Sequence, residues 1–393
     1  MNKKEIYLDH ASTTYTDPQV LEAMLPYFTE NFGNPKSIHE KGRKAKQAID
    51  KARIEIAKFL NCDSSEIIFT GSGTESNNIA IIGAARANKE KGNHLITSKI
   101  EHSSVKKVFE YLEKEGFEVT YLDVEKNGII NPEDLKKAIK PESILVSIMH
   151  ANNEIGTIQP IEKIGEICQE NGIIFHTDAC QTALYLNLDS EKLNVDLLTM
   201  NSSKIYGPKG IGALYIRRET KLSPILFGGN HEHALRPGTQ ATANIVGLAE
   251  AVKLIQKYDN EKLKKLRDNL IEELLKIDEV TLNGDQEQRI PNNINISIKG
   301  FNSQEILLHL DNANIYVSSG SACGSGLKNP SGTLKAIGLS KNEINSSLRI
   351  SLGKATTTKE TEKFLNTFKE ILEKLKKNRF TNLSRHHHQI PHH

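Results

Sequence analysis

The sequence predicts an α/β protein with a mostly parallel sheet and a second, smaller α+β region. Between residues 66 and 218, seven short β-rich segments alternate with helical patterns, which is typical of parallel strands joined by crossover helices. Past residue 255 this alternation stops. The chain has 393 residues, 37% of them hydrophobic and 25% charged, so it can bury the cores of one large and one smaller domain.

The seven predicted strands are short runs bounded by turn residues. They cover residues 66–70, 94–100, 117–124, 144–150, 172–177, 195–200 and 213–217. Ligands of parallel sheets bind beyond the carboxyl ends of the strands. The polar residues that follow these segments are therefore the candidates for a functional site.

The region after residue 255 begins with leucines at helical spacing between residues 263 and 274. Strand-like segments follow at 293–298 and 348–351, and then an amphipathic helix with an apolar face from Phe364 to Leu375. This order predicts a smaller α+β domain at the end of the chain.

These patterns suggest where the domains begin and end. We expect a large domain over residues 15–255 and a small domain formed by residues 1–14 together with 256–378. The last stretch, 379–393, holds five of the fourteen histidines and is expected to be a disordered tail or an artificial extension, although such histidines can bind metal weakly.

Composition excludes several classes of protein. The formal net charge is only +2 and no long charged block occurs, so nothing favours nucleic acid or a membrane surface as a partner. The first residues lack the apolar core of a signal peptide and no stretch has the apolar length of a membrane span, which favours a cytosolic protein. The four cysteines include no C-x-x-C pair, which argues against a disulfide framework or a structural zinc site.

The pair formed by Asp178 and Lys204 is the strongest chemical indication. Lys204 follows one predicted strand, and Asp178 stands at the end of another. A lysine amine can hold pyridoxal 5′-phosphate (PLP) as a Schiff base, and a carboxylate can keep the pyridine nitrogen of that cofactor protonated. A helix N-cap is the ordinary alternative for Asp178. The two residues together predict a PLP enzyme.

Three further motifs follow predicted strands, and each has two interpretations. The glycine-rich run 70–78 is either a phosphate cradle at a helix N-terminus or an ordinary strand-to-helix turn. His102, after Glu101, either stacks on an aromatic ring or transfers protons, or is a surface histidine at a helix start. The amides of Asn152 and Asn153 either bind a ligand or shape a turn.

Two residues of the second region are also candidates. Cys323 lies in a run of small residues without apolar periodicity, which predicts an accessible, mobile loop and a candidate nucleophile. Arg349 lies in a strand-like apolar setting, where its guanidinium requires an anionic partner. That partner is either a substrate carboxylate or a structural salt bridge.

Taken in order, these runs resemble the cysteine desulfurases, which are PLP enzymes of fold type I in the class V aminotransferase group. The resemblance extends from about residue 6 to the mid-370s, and its many motifs make it specific. The motifs that carry it are 7–14, 32–35, 74–78, 101–102, 152–156, 204–210, 228–232, 236–239 and 319–323.

The resemblance implies a role for each motif residue around PLP. Lys204 would hold the cofactor, Asp178 would pair with its pyridine nitrogen, and His102 would stack on its ring. Gln181 and Asn153 would contact the ring hydroxyl. The phosphate contacts would come from Gly73, Thr74, Asn201, Ser202, Ser203 and, from the second subunit of a homodimer, Thr239. Many relatives have a histidine where this chain has Ser203.

The resemblance also implies the reaction. Arg349 would bind the carboxylate of L-cysteine, with Asn153 beside it. Cys323 would attack the cysteine sulfur, leaving alanine and an enzyme persulfide that passes to an acceptor, typically an iron–sulfur scaffold protein. With such a scaffold, Cys323 is also a candidate transient ligand of the cluster. The alternatives are a related PLP lyase or aminotransferase, such as a selenocysteine lyase, and a low-activity sulfur-relay subunit that needs a partner.

Overall fold

The computed structural model describes residues 5–319 and 331–387, and the side chains of residues 5–319 and 331–378. Its strands are β1 Ile6–Tyr7, β2 Ile67–Thr70, β3 His94–Ser98, β4 Glu118–Leu122, β5 Ser143–Ser147, β6 Ile174–Asp178, β7 Leu197–Asn201, β8 Gly212–Ile216, β9 Val280–Leu282, β10 Asn293–Ile298, β11 Ile315–Tyr316, β12 Ser318–Ser319 and β13 Ser347–Ser351. Each of the seven strands predicted before residue 218 overlaps one of these.

Helices separate most of the strands. They are α1 Pro18–Met24, α2 Pro26–Thr29, α3 Glu40–Leu60, α4 Gly73–Ala87, α5 Ser103–Lys114, α6 Pro132–Ala138, α7 Ile161–Glu170, α8 Thr242–Ile255, α9 Asn260–Leu275, α10 Ser303–Asn312, α11 Gly332–Ala336, α12 Lys341–Asn345 and α13 Thr358–His387. Short 3-10 turns lie at Ser64–Glu66, Ser202–Lys204 and His231–Ala234.

The large sheet has seven strands in the order β2-β8-β7-β6-β5-β3-β4. Strand β8 runs antiparallel to β2 and β7, and the remaining neighbours are parallel. The predicted α/β fold with a mostly parallel seven-stranded sheet is confirmed.

Both faces of this sheet are covered, because helices pack on each side. Strands β3 and β5 are buried at every position, as expected for parallel strands between two layers of helices. Successive side chains of a strand point to opposite faces. Leu145 and Val146 of β5 accordingly belong to two different hydrophobic clusters. The sheet is therefore held rigidly from both sides, and its carboxyl ends offer fixed positions for a site.

The rest of the chain builds a second core. Strands β12, β13, β10 and β9 form an antiparallel sheet in that order, and apolar residues of α9, α10 and α13 pack with it. The N-terminal β1 joins this region by pairing in parallel with β11. Separate cores support the expected division into residues 15–255 and residues 1–14 with 256–378, which stays a proposal.

The end of the chain differs from the sequence expectation. Helix α13 continues to His387, through nine residues of the stretch 379–393 that was expected to be a disordered tail. The reason is local, since neither glycine nor proline interrupts the sequence between Gly353 and Pro391. Residues 388–393 lie outside the described part of the chain. Within the described ranges, no helix is both long enough and apolar enough to cross a membrane.

Candidate active site

A cavity of about 420 Å³ opens where the central strands of the large sheet end. Asp178 is the last residue of β6 and Asn201 is the last residue of β7. The predicted site residues that line the cavity are Gly73, Thr74, His102, Asn153, Asp178, Gln181, Asn201, Ser203, Lys204 and Arg349. The structure thus brings motifs from six separate parts of the sequence to one place.

Asp178 is buried, with 6% of its surface exposed, and both carboxylate oxygens accept hydrogen bonds. Oδ1 accepts from the backbone N–H of Cys180 at 3.0 Å, and Oδ2 accepts from the side-chain amide of Asn77 at 2.8 Å. A turn follows Asp178 and not a helix, so the helix N-cap alternative is wrong. The carboxylate is instead fixed at the wall of the cavity.

Lys204 ends the 3-10 turn that follows β7, and its amine reaches the N-terminal segment of the chain. Nζ donates to the backbone carbonyl of Ala11 at 2.9 Å and to that of Ser12. Gln181 donates to the same Ala11 carbonyl at 3.0 Å. Residues 11 and 12 therefore help to hold the amine at the cavity.

The glycine-rich run forms the N-terminus of α4. Ser72 caps this helix by accepting from the N–H of Glu75 at 3.2 Å, and Gly73 is the first helical residue. A Cβ at Gly73 would lie 2.6 Å from Sγ of Cys180, so only glycine leaves the first turn open toward the cavity. The N-terminus of a 15-residue helix attracts anions through its unpaired N–H groups. The site therefore fits the phosphate of PLP, while Asp178 and Lys204 fit its ring nitrogen and its aldehyde carbon.

His102 is the N-cap of α5 and also lines the cavity. The helix-start interpretation and the ligand interpretation thus apply to the same side chain. Asn152 is buried and does not line the cavity. Its side-chain oxygen accepts from the N–H groups of Glu154 at 2.8 Å and Ile155 at 3.0 Å, so it shapes the turn. Asn153 lines the cavity.

Arg349, on β13, is 1% exposed and forms the structural salt bridge that was one of its two interpretations. Nη2 lies 2.9 Å from Oδ1 of Asp9, and Nη1 donates to the carbonyl of Asn153 at 3.0 Å. Its Nε is buried and has no hydrogen-bond partner among the described residues. Because Arg349 also lines the cavity, its pairing with Asp9 holds the guanidinium at the cavity wall.

Three predicted site residues are not brought to this cavity by the described structure. The Ser202 side chain is fully buried next to Gly207 and does not line the cavity, whereas Ser203 does. Thr239 is exposed on the surface and outside the lining of the cavity. Cys323, including its expected accessible loop and its metal role, lies outside the described residues. Among the described residues, no cluster of three or more His, Cys, Asp or Glu could hold a metal ion.

Sequence reasoning missed three polar residues that line the cavity, namely Ser12, Asn77 and Ser104. Each lies within or beside a motif that was recognised. Their roles follow from contacts with other elements, because Asn77 on α4 reaches both Ser104 on α5 and Asp178 on β6. Residue spacing along the chain does not predict contacts between elements that are distant in sequence.

Comparisons with known proteins agree with this geometry. The family model for aminotransferase class-V matches residues 6–364. The cysteine desulfurase IscS of Clostridium botulinum is 48% identical over 382 residues, which cover 96% of this chain and 95% of the relative.

Solved structures show the same fold. A NifS-like protein superposes with a TM-score of 0.89 at 34% identity, over 94% of this chain and 100% of that one. SspA in complex with cysteine superposes with a TM-score of 0.81 at 38% identity, over 90% and 100% of the two chains. The chain therefore belongs to the aminotransferase class-V family, as a PLP-dependent member similar to the cysteine desulfurases.

Proposed function

We propose that the protein converts L-cysteine to L-alanine and keeps the sulfur as a persulfide on Cys323. The observation that carries this proposal is the single cavity lined by Lys204, Asp178 and Arg349, which joins a cofactor site to a carboxylate site. A structural relative, SspA, was solved in complex with cysteine, and curated relatives are named cysteine desulfurases.

Each cavity residue has a defined task in this proposal. PLP, when bound, withdraws electrons from the carbon atoms of the amino acid attached to it. Arg349 binds and orients the substrate carboxylate, and Asp178 pairs with the ring nitrogen. Lys204 holds the cofactor and moves a proton at the substrate Cα. The open first turn of α4 at Gly73, with Thr74, Asn201 and Ser203, binds the phosphate.

The sulfur transfer is assigned to Cys323. Its thiolate attacks the substrate sulfur, so that an S–S bond forms while the Cβ–S bond breaks; the electron pair stays with the carbon fragment, which takes up a proton to become alanine. The described cysteines are unsuited to this task, because burial raises the pKa of Cys62 to about 12 and also raises the pKa of Cys168 and of Cys180 above the ordinary value. A protonated thiol is a poor nucleophile.

Anaerobic incubation of the PLP-loaded protein with L-cysteine and a thiol reductant tests the activity. We expect alanine and sulfide in equal amounts. Keto acid without alanine would indicate another PLP reaction on the same amino acid and would overturn the proposal. Full alanine production only after a sulfur acceptor is added would instead show a relay subunit that depends on its partner.

Replacing the proposed nucleophile gives a sharper test. We expect Cys323→Ser to retain the visible absorbance of bound PLP and to lose sulfide and alanine production by at least about a hundredfold, because the hydroxyl is a far weaker nucleophile than a thiolate. Cys62→Ser is the matched control, since Cys62 lies away from the cavity and should keep full turnover. Normal turnover by Cys323→Ser would assign the sulfur transfer to another residue.

We further propose that the active form is a homodimer in which Thr239 completes the phosphate site of the partner. Large apolar side chains are exposed at Ile38 (91%) and Phe227 (85%). Phe227 is next to Gly228, which lies against Pro237 in the segment that carries Thr239. Apolar patches of this kind mark protein interfaces. The segment is also anchored, because Arg53 forms a two-pronged salt bridge with the buried Glu232 at 2.7 and 2.8 Å.

The remaining assignments concern partners and location. We propose a cytoplasmic protein that passes the persulfide sulfur to an acceptor protein, namely an iron–sulfur scaffold. The IscS name of the curated relatives supports this acceptor. The transient cluster-ligand role of Cys323 belongs to the same proposal. Transfer of labelled sulfur from the persulfide to a purified scaffold protein would test both.

A further inference from the structure

The turn that carries Lys204 is fastened to the N-terminal part of the chain by hydrogen bonds. The carbonyl of Ser203 accepts from the N–H of Thr14 at 2.8 Å and from the Thr14 hydroxyl at 3.0 Å. The same hydroxyl accepts from the N–H of Tyr206 at 2.9 Å, and the Tyr206 carbonyl accepts from the N–H of Asp17 at 2.9 Å. The position of the Lys204 backbone therefore depends on where Thr14 and Asp17 lie.

Lys354 reaches this turn from the small sheet. It follows β13, the strand that carries Arg349. Its backbone N–H donates to the Tyr206 hydroxyl at 2.8 Å, and its ammonium group lies 4.4 Å from the centre of the Tyr206 ring. The ammonium group also forms an ion pair with Asp17. One lysine thus contacts both the turn and the segment that fastens it, and it joins them to the strand of Arg349.

The ion pair of Lys354 with Asp17 is largely shielded from water, because the two side chains are only 23% and 10% exposed. One Asp17 oxygen accepts from the ammonium group, and the other accepts from the N–H of Gln19 at 2.9 Å as the N-cap of α1. Salt screens partly buried pairs less than exposed ones. Removal of the lysine cation would leave the Asp17 carboxylate partly buried without its counter-charge, which favours a rearrangement of the segment.

The backbone at Tyr206 makes the turn sensitive to these contacts. Tyr206 is 1% exposed and has a φ of 63°, in the left-handed region that residues with side chains rarely adopt. Such a conformation persists only where the surroundings fix it. Here Thr14, Asp17 and Lys354 bind its N–H, its carbonyl and its hydroxyl, respectively. Loss of one contact allows the backbone to relax, and Lys204 belongs to the same turn.

We infer that Lys354 is a positioning residue, which sets the Lys204 amine relative to the Arg349 guanidinium. Lys354 does not line the cavity, so it acts through the turn and not on a bound molecule. The inference rests on the proposed function, in which Lys204 moves a proton at the substrate Cα while Arg349 binds the substrate carboxylate. The separation of the two groups decides whether the Cα hydrogen lies within reach of the amine, and small misplacements of reacting groups lower rates strongly.

Two replacements of Lys354 test this role. Lys354→Met removes the cation and keeps an apolar chain, whereas Lys354→Arg keeps a cation that can bind Asp17. We expect Lys354→Met to lower kcat for alanine formation about tenfold and to change KM for cysteine less than about threefold, because Arg349 is untouched. Lys354→Arg should restore most of kcat. Lys359→Met, at an exposed lysine of α13, is the control and should match the wild type.

Three outcomes of this comparison would overturn the inference. They are an unchanged kcat in Lys354→Met, a raised KM with kcat intact, and a Lys354→Arg protein that is no more active than Lys354→Met. The last of these would show that the cation is not what matters.

The partner of the ion pair gives an independent test. Asp17→Asn removes the charge and retains a good N-cap residue for α1. We expect it to lower kcat as Lys354→Met does, and we expect the double variant to lose no more than the more affected single variant, because both changes remove one interaction. Wild-type kcat in Asp17→Asn, or losses that multiply in the double variant, would contradict the inference.

A readout that needs no turnover is the visible circular dichroism of bound PLP. PLP alone is not chiral, so this signal reports how the protein holds the ring at Lys204. We expect the signal per bound PLP to change in Lys354→Met and to match the wild type in Lys354→Arg. An unchanged signal in Lys354→Met would refute the inference. If the signal changes as expected but the wild-type protein makes no alanine, only the proposed function is refuted.

Discussion

Glu101 is an unusual residue, because it is a fully buried carboxyl group next to His102. Oε1 accepts from the Ser98 hydroxyl at 2.6 Å and from the N–H of Met149 at 3.0 Å, while Oε2 is buried without a hydrogen-bond partner among the described residues. Burial raises the pKa of Glu101 to about 8 from the ordinary value of 4.5. The folded protein therefore holds a proton here that the unfolded chain releases.

The pH dependence of stability follows from that shift. Because the folded pKa is above the unfolded one, the contribution of Glu101 is fully present below about pH 4.5 and is lost as the pH rises through about 8. We expect Glu101→Gln to flatten the fall in the free energy of unfolding between pH 5 and 8, by up to about 4 kcal/mol. Urea unfolding of the PLP-loaded protein across this range would measure it.

The control for this experiment is Glu22→Gln, at an exposed position of α1. Its unfolding curves should keep the pH dependence of the wild type. A Glu101→Gln protein whose stability still falls as steeply as that of the wild type would show that Glu101 is already ionised in the folded protein at pH 5.

At the level of elements, Cys180 on the turn after β6 limits the size of the first residue of α4. A Cβ at Gly73 would lie 2.6 Å from Sγ of Cys180 and 3.3 Å from Cβ of Asn201. The backbone of Cys180 is fixed, because its N–H donates to Oδ1 of Asp178 at 3.0 Å. The first turn of α4 therefore has room for a glycine next to Cys180 but not for a larger residue.

We expect Gly73→Ala to weaken PLP binding by about tenfold or more, because the added methyl group displaces the phosphate-binding turn. Titration of the apoprotein with PLP, followed by visible absorbance, measures the affinity. The double variant Gly73→Ala with Cys180→Ala should recover part of the loss, since it removes the sulfur that the methyl group meets. Unchanged affinity in Gly73→Ala would show that the phosphate binds elsewhere.

At the level of the whole molecule, the active site joins both cores. Lys204 belongs to the large sheet, but its amine binds the carbonyls of residues 11 and 12, which follow the strand paired with β11. Arg349 comes from the small sheet and pairs with Asp9 of that same N-terminal segment. A shift of one core relative to the other would therefore change the distance between the cofactor site and the carboxylate site.

The proposed dimer makes a prediction at this scale. We expect Phe227→Glu to produce monomers that lose PLP readily, because a charge would replace an 85% exposed apolar side chain at the interface and Thr239 of the partner would be withdrawn. Sedimentation velocity and the PLP content after gel filtration measure the two effects. Leu308→Glu is the control, since Leu308 is also exposed, at 67%, but lies on α10. A Phe227→Glu protein that remains dimeric would exclude this surface.

The sequence by itself determined the fold class, the cofactor and most of the residues that line the cavity. These depend on local signals, namely the alternation of strands and helices and the polar residues placed just after strands, which the parallel sheet then gathers at one edge. Lys204, Asp178 and Gly73 were all identifiable in this way.

Only the tertiary structure decided which side chains contact one another. Asn77 and Asp178 are 101 positions apart, and Arg349 and Asp9 are 340 positions apart. Such contacts depend on how sheets and helices pack, and residue periodicity does not encode the distance between elements. The hydrogen bonds of Asn77 to Ser104 and to Asp178 arise from the same packing, because they need α4, α5 and β6 to meet at the end of the sheet.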